Sequence, residues 1–408
     1  MQKIDGGVTS PKGFKAAGTR AGIRDGKTNK DMAMIYSEVP AVAAGTFTRN
    51  VVKAAPVLWD KKLVETVGMA QAVVVNSGIA NACTGEEGYE DAKQTAALAG
   101  KALGVSENQV LVASTGVIGF TLPMDAIASG IDKLKDMLSD SREAAIDAAT
   151  AILTTDTHKK EIAYEFEIGG KKAYIGAMCK GSGMIHPNMG TMLGFITTDV
   201  AIDGVLLSKA LKSSIEDTFN MVSVDGDTST NDTVVVLANG MAGNEMITEE
   251  NADYETFQEV LNAVNTFLAK QIAADGEGAT RLFQVDVVGA MDKETAKVLA
   301  KSIVTSNLTK CAIYGRDANW GRILCAMGYS GAQFDPYKVD ITVSSEKGEI
   351  KLVENGKATA FDEKKATEIL SPEVVVATAD LKMGDEKATA WGCDLTYDYV
   401  KINADYRS

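Results

Sequence analysis

The chain has 408 residues, 45% of them hydrophobic, with 41 basic against 55 acidic side chains and a net charge of −14. That length predicts two or three lobes with large cores, and the acidic balance argues against nucleic acid or an anionic membrane as a bulk partner. No run of about 18 apolar residues occurs, and the start, Met1-Gln-Lys-Ile-Asp-Gly-Gly, lacks the apolar centre of a signal peptide, so a cytoplasmic protein is expected. Cys83, Cys179, Cys311, Cys325 and Cys393 are odd in number, far apart and never in a Cys-x-x-Cys pair, which predicts free thiols. The two histidines, His158 and His186, stand beside no evident nucleophile and acid set; both are expected in solvent-facing loops, and no metal site is implied.

In chain order, short β-type pieces at 32–39 and 45–48 precede a compact strand at 71–75, which Asn76-Ser77-Gly78 closes as a turn. An alanine-rich helix over 87–103 stops at Gly104. The strand predicted at 109–113 runs into Ser114-Thr115-Gly116-Val117-Ile118-Gly119, read as a glycine-bearing turn. Exposed backbone N–H groups in such a turn suit a developing oxyanion; an ordinary βα turn is the plain alternative. Met124, Ile127, Ile131 and Leu134 share one helix face behind Pro123, and Ser141 is a plausible N-cap for a helix running to 153. That helix ends in Thr154-Thr155-Asp156-Thr157. A hairpin of 162–168 and 171–178 around Gly169-Gly170 then delivers the chain to Lys180.

The stretch from Lys180 to Asp199 organises the rest. Gly181, Ser182, Gly183 and Pro187 make an irregular arm, whereas 192–197 has the composition of a buried strand, and the two meet at Gly190-Thr191. Without a Cβ, Gly190 lets the peptide adopt angles other residues resist, so the Thr191 hydroxyl can approach the carbonyl behind it. That geometry permits an N-to-O acyl shift. Hydrolysis of the ester would free an α-amine on Thr191, with an ordinary pKa of roughly 7.7–8, able to take the hydroxyl proton. From the pattern alone, a plain strand start competes with this reading.

Beyond it, 206–219 reads as an amphipathic helix. The run Asp225-Gly-Asp227-Thr-Ser229-Thr-Asn231-Asp232 resembles a calcium loop, but Thr230 and Val236 occupy the positions of the required glycine and bidentate glutamate. It is expected as a polar loop on the active-site side or a solvated turn before a strand at 233–238. After a long helix over 251–274, Glu277 lies between Gly276 and Gly278, accessible either to a cationic substrate or simply to solvent. Then follow a strand at 282–288, a helix at 293–306, a strand at 308–313, and Tyr314-Gly-Arg316-Asp317-Ala-Asn319-Trp320-Gly-Arg322 opening another helix. Strands are predicted at 338–344, 349–353 and 374–379, with a short helix at 363–370 and a strongly alternating tail at 391–402. The alternation argues an α/β protein of layered sheets with outer helices.

The run Lys180-Gly-Ser-Gly-Met-Ile-His-Pro-Asn-Met-Gly-Thr191-Met-Leu resembles the signature of the ornithine acetyltransferase family, the glutamate N-acetyltransferases of the cyclic arginine pathway. The run 311–322 and the Ile-Asn-Ala-x-Tyr tail are similar to the same family, and the resemblance covers nearly the whole chain. It implies an ornithine acetyltransferase-like fold with two intertwined lobes, an α chain of 1–190 and a β chain of 191–408 produced by self-cleavage at Gly190-Thr191. Alanine commonly precedes the threonine in that family; Gly190 stands here. The resemblance makes Thr191 the acetyl-carrying nucleophile and Thr115 and Gly116 the oxyanion hole. It assigns substrate binding to Thr154, with Thr155 or Thr157 as near alternatives, and to Lys180, Thr191, Glu277, Asn403 and Ser408. The implied reaction carries acetyl from N2-acetylornithine to glutamate without a cofactor, with acetyl-CoA as a second donor left open, in an α2β2 assembly. The arginines of 311–322 fit structural ion pairs or substrate carboxylates equally. Three other readings stand beside it: an N-terminal-nucleophile amidase, an uncleaved amino-acid-binding protein, and an acetyl-CoA enzyme with an Arg/Gln-x-x-Gly-x-Gly/Ala loop, a run this sequence lacks.

Overall fold

The structure, a computed structural model, describes residues 1–24, 26, 28–186 and 192–405. Its strands in the first half are β1 (Gln2–Ile4), β2 (Phe14–Thr19), β3 (Met32–Phe47), β4 (Met69–Ile79), β5 (Val110–Val117), β6 (Lys160–Ile168) and β7 (Lys171–Lys180). The second half adds β8 (Leu193–Thr198), β9 (Val222–Ser223), β10 (Thr233–Ala238), β11 (Leu282–Ala290), β12 (Asp340–Ser345), β13 (Gly348–Glu354), β14 (Lys357–Ala358), β15 (Val374–Asp380) and β16 (Glu386–Cys393). Among the described residues these form a nine-stranded sheet ordered β1-β6-β7-β8-β10-β3-β4-β5, with β2 also on β3, and a seven-stranded sheet ordered β14-β13-β12-β15-β11-β16-β9.

Apolar patterning explains the layers. Strands β8 and β10 are buried at every residue, as expected of central strands covered on both faces. One face of the first sheet packs against α1 (Ala55–Thr66), α2 (Gly85–Leu103), α3 (Met124–Met137) and α4 (Arg142–Ala151), around Met34, Val73, Val75, Leu111 and Ile127. The opposite face shares a core with α5 (Gly204–Asp217) and α6 (Ala252–Ala274), and α6 contacts strands of both sheets. The second sheet carries α7 (Lys293–Thr305), while α8 (Asn307–Gly315), α9 (Trp320–Gly328), α10 (Glu363–Ile369) and α11 (Tyr397–Asp405) complete its lobe. The α/β layering expected from the sequence is therefore present.

The first sheet is not the property of one half of the chain. β8 pairs antiparallel with β7 (Leu193 opposite Lys180), and β10 pairs parallel with β8 and antiparallel with β3. Second-half strands thus lie inserted between first-half strands, held on both sides by backbone ladders.

Five local expectations need correction. Asn76-Ser77-Gly78 and Ser114-Thr115-Gly116 are not turns: β4 and β5 run on through them as a parallel pair, Ser77 opposite Thr115 and Gly78 opposite Gly116. Backbone pairing overrides the turn preference of these residues. The strand expected at 308–313 is helix α8, because the Ser306 side chain accepts from Thr309 N and caps it. The alternating tail divides into β16 and then α11. His186 is half-buried rather than solvent-facing; His158 is exposed as expected. The separate pieces expected at 32–39 and 45–48 are one long strand, β3; the Ser141 cap and the Gly169-Gly170 turn hold, and both glycines have positive φ as a tight hairpin requires. The five cysteines are free. Among the described residues, no helix is long and apolar enough to cross a membrane.

Candidate active site

The end of the β4–β5 pair forms one wall of a cavity. Gly116 has φ +134, and a Cβ there would sit 2.2 Å from the Gly78 carbonyl carbon, so the close approach of the two strands admits only glycine. Thr115 and Gly116 both line the cavity. Thr154 and Thr155, on the loop after α4, line it too; Thr157 instead donates its backbone N–H to Asp275.

Lys180, the last residue of β7, enters the same space with its side chain only 9% exposed. Its Nζ donates a long hydrogen bond to Thr115 Oγ1 (3.4 Å) and stands 4.0 Å from Asp156 Oδ2. Burial lowers its pKa, opposed chiefly by the Asp156 carboxylate. Burial alone would raise Asp156, but the Lys180 and Lys160 charges outweigh it and hold the carboxyl far below its usual range.

On the opposite rim, Glu277 N donates to Ser182 O (3.0 Å), placing the Glu277 carboxylate against Gly183, where a Cβ would come within 2.2 Å of the carboxyl carbon. Asn403 Nδ2, from the last turns of α11, donates to Glu277 Oε2 (2.8 Å). Glu277 and Asn403 both line the cavity.

The described part of the arm after Lys180 is tied down at Met184, Ile185 and His186. Asp225 accepts from Met184 N (2.7 Å) and Ile185 N (2.8 Å), and Tyr399 OH donates to the same carboxylate (3.3 Å). Thr228 Oγ1 donates to His186 O (2.8 Å), and the His186 ring pairs with Ser223 Oγ (3.1 Å). Burial, with Lys301 nearby, pulls the His186 pKa down to about 4. Downstream, Met192 C=O accepts from Thr233 N (2.9 Å), and Met192 is on the cavity wall. Gly190, Thr191 and Ser408 lie outside the described residues.

The cavity thus brings together Thr115, Gly116, Thr154, Lys180, Glu277 and Asn403, from five separate segments, beside the residue that follows Thr191. Sequence reasoning singled out neither Asp156 nor Asn231. Asn231 is buried and its Nδ2 donates to Ala80 O (2.6 Å) and Ser114 O (2.8 Å), bracing the β4–β5 wall. The signal for it was the polar run ending at Asp232, whose last four residues do face the cavity.

Chemically the arrangement offers a hydroxyl donor, a buried ammonium and a rim carboxylate. When Lys180 is an ammonium it only donates, so Thr115 Oγ1 then accepts from it and keeps its own proton for another acceptor in the cavity.

Residues 15–408 match the ArgJ family. The chain is 54% identical over 409 residues to the arginine biosynthesis bifunctional protein ArgJ of Symbiobacterium thermophilum, with 100% of each chain covered. Identity is 52% over 408 residues, again with full coverage of both, to the protein of the same name from Caldanaerobacter subterraneus subsp. tengcongensis. Among solved structures, the crystal structure of the arginine biosynthesis bifunctional protein argJ from Bacillus halodurans is 49% identical with a TM-score of 0.51, covering 53% of this chain and 100% of that one.

Proposed function

The chain belongs to the ArgJ family and is an acyltransferase of arginine biosynthesis, and from that premise we propose that it cuts itself before Thr191 and carries acetyl on that threonine. In the maturation step the Thr191 oxygen attacks the Gly190 carbonyl carbon, the peptide C–N bond breaks, and water hydrolyses the resulting ester. The products are a Gly190 carboxylate and a free α-amine on Thr191. In turnover the Thr191 oxygen attacks the acetyl carbon of N2-acetylornithine while the α-amine takes the hydroxyl proton and passes it to the departing ornithine nitrogen. The α-amine of glutamate then attacks the acetyl ester, the C–O bond breaks, and the threonine oxygen regains a proton as N-acetylglutamate leaves.

The observation that carries this reading is the single cavity walled by Thr115, Gly116, Thr154, Lys180, Glu277 and Asn403, next to Met192. Thr115 Oγ1 and the Gly116 N–H are the oxyanion donors. Lys180, Thr154 and Asn403 hold the groups donor and acceptor share, and Glu277 faces the ornithine ammonium; Ser408 completes the substrate contacts. One cavity then serves both half-reactions. A cut before Thr191 leaves residues 191–408, 218 of 408, and the solved Bacillus halodurans chain likewise covers 53% of this chain, a match in length that supports separate chains 1–190 and 191–408. With β8 and β10 laddered between first-half strands, the two would stay together after cleavage, and two pairs would form an α2β2 enzyme in the cytoplasm. Whether acetyl-CoA is a second acetyl donor to the same threonine is decided by whether it also labels the 191–408 fragment.

Intact mass under denaturing conditions, on the wild type and on Thr191→Ala, tests the reading. Two fragments meeting at Gly190-Thr191 are expected from the wild type, one uncut chain from the variant, and an acetyl adduct on the 191–408 fragment after mixing with N2-acetylornithine. A single wild-type chain would favour an amino-acid-binding protein. Release of acetate unaffected by glutamate would favour an amidase.

A further inference from the structure

Beneath the cavity lies a closed network of four charges. The side chains of Asp156 and Lys160 are fully buried, that of Asp275 is 3% exposed and that of Lys180 9%. One Asp156 oxygen accepts from Lys160 Nζ (2.7 Å) and Gly181 N (2.8 Å); the other accepts from Thr154 N (3.1 Å) and faces Lys180 Nζ at 4.0 Å. Lys160 also donates to Asp275. Two carboxylates and two lysines therefore balance in a buried space whose solvent edge is the His158 ring, 3.4 Å from Asp275, and a buried charge without its counter-charge is expensive.

We propose that Asp156 is a positioning residue for the acetyl transfer: it keeps Lys180 in place as an ammonium, and through Lys180 it keeps the Thr115 hydroxyl proton aimed at the reacting carbonyl. The proposal rests on the transferase reading given above. A neutral Lys180 amine has a lone pair that would accept the Thr115 proton and remove that donor from the oxyanion. The charged groups acting on Lys180 are Asp156, Lys160, Glu277 and Arg24; burial and the two cations favour the neutral amine, and the two carboxylates oppose them. Asp156 acts most strongly of the four. Without its charge, Lys160 would keep Asp275 while Lys180 would face only the Glu277 carboxylate, and Lys180 would give up its proton at a lower pH. Asp156 also accepts from the Thr154 and Gly181 backbones, so one carboxylate ties the loop after α4 to the end of β7.

The test is the pH profile of kcat/KM for acetyl transfer by the mature wild type and by Asp156→Asn. The alkaline limb is expected to move down by about one to three pH units, the shift that a neighbouring opposite charge ordinarily supports. A loss of rate equal at every pH, with the limb unmoved, would reduce Asp156 to a structural role and overturn the proposal. If Asp156→Asn does not fold, calorimetry of glutamate binding to the wild type at pH 8, in buffers of different ionisation enthalpy, decides. Little or no proton uptake is expected from a Lys180 already charged; uptake near one proton would overturn the proposal. Failure of the transferase reading has a different signature: a wild type that forms no acetyl-enzyme at any pH.

Discussion

The two walls of the cavity are built differently. Thr115, Gly116 and Lys180 sit in strands of the first sheet, with Thr115 and Lys180 buried and Gly116 admissible only as glycine. Glu277 and Asn403 sit on a turn and on the final helix, half-buried and exposed respectively, joined to one another by a single side-chain hydrogen bond. The sheet wall is buried and held by backbone ladders, which suits stabilising charge that exists only in the transition state. The rim wall is more exposed, which suits admitting two substrates with different side chains. The difference predicts that damage to the sheet wall appears in kcat and damage to the rim in KM.

The largest effect should come from Thr115→Val, which keeps the shape and removes the hydroxyl. Loss of one oxyanion donor costs roughly 100- to 1,000-fold in kcat. Steady-state kinetics should show that loss with the KM values nearly unchanged; a change confined to KM would break the comparison. A smaller effect is expected from Glu277→Gln. Losing a charge-assisted contact worth about 1.5–3 kcal/mol raises the KM for N2-acetylornithine by roughly tenfold or more. The KM for glutamate, which carries no side-chain ammonium, should move far less, and equal changes in both would remove Glu277 from side-chain recognition.

The smallest effect concerns stability. The folded His186 pKa of about 4 lies below its ordinary 6.5, so the unfolded chain takes up the proton first as pH falls. The stability tied to the neutral ring is full above about pH 6.5 and is lost progressively down to about pH 4. Screening at a half-buried ring limits the loss to about 1 kcal/mol. Denaturant titrations of wild type and His186→Gln at pH 7.5 and pH 4.5 should converge or cross by that amount. Parallel curves would mean that the arm before Thr191 is anchored without regard to the ring's charge.

Much of the fold was legible locally, and the failures have physical causes. Ser141 caps its helix as its sequence position suggests, and Gly104 ends α2 in the left-handed conformation. The Asn76-Ser77-Gly78 and Ser114-Thr115-Gly116 runs misled because each has turn composition, yet each finds its hydrogen-bond partners in the other, 38 residues away at the Ser114–Asn76 contact. No window along the chain contains that information. His186 likewise looked like a loop histidine because its cover comes from Ser223, Thr228 and Lys301. The candidate site residues themselves were reached through family resemblance in nearly every case; isolated Thr-Gly and Gly-Glu-Gly steps carry little specificity.

By itself the sequence determined the apolar strands and capped helices, the free cysteines, and a glycine-threonine junction between an irregular arm and a buried strand, since each depends on neighbours a few residues apart. The tertiary structure decided which segments meet. It inserted β8 and β10 between β7 and β3, carried α11 round so that Asn403 reaches Glu277, and brought Asp156, Lys160, Lys180 and Asp275 into one buried balance of charge. Such meetings follow from how whole sheets and helices bury their apolar faces, and residues as far apart as Glu277 and Asn403, 126 positions, become neighbours only when that burial is complete.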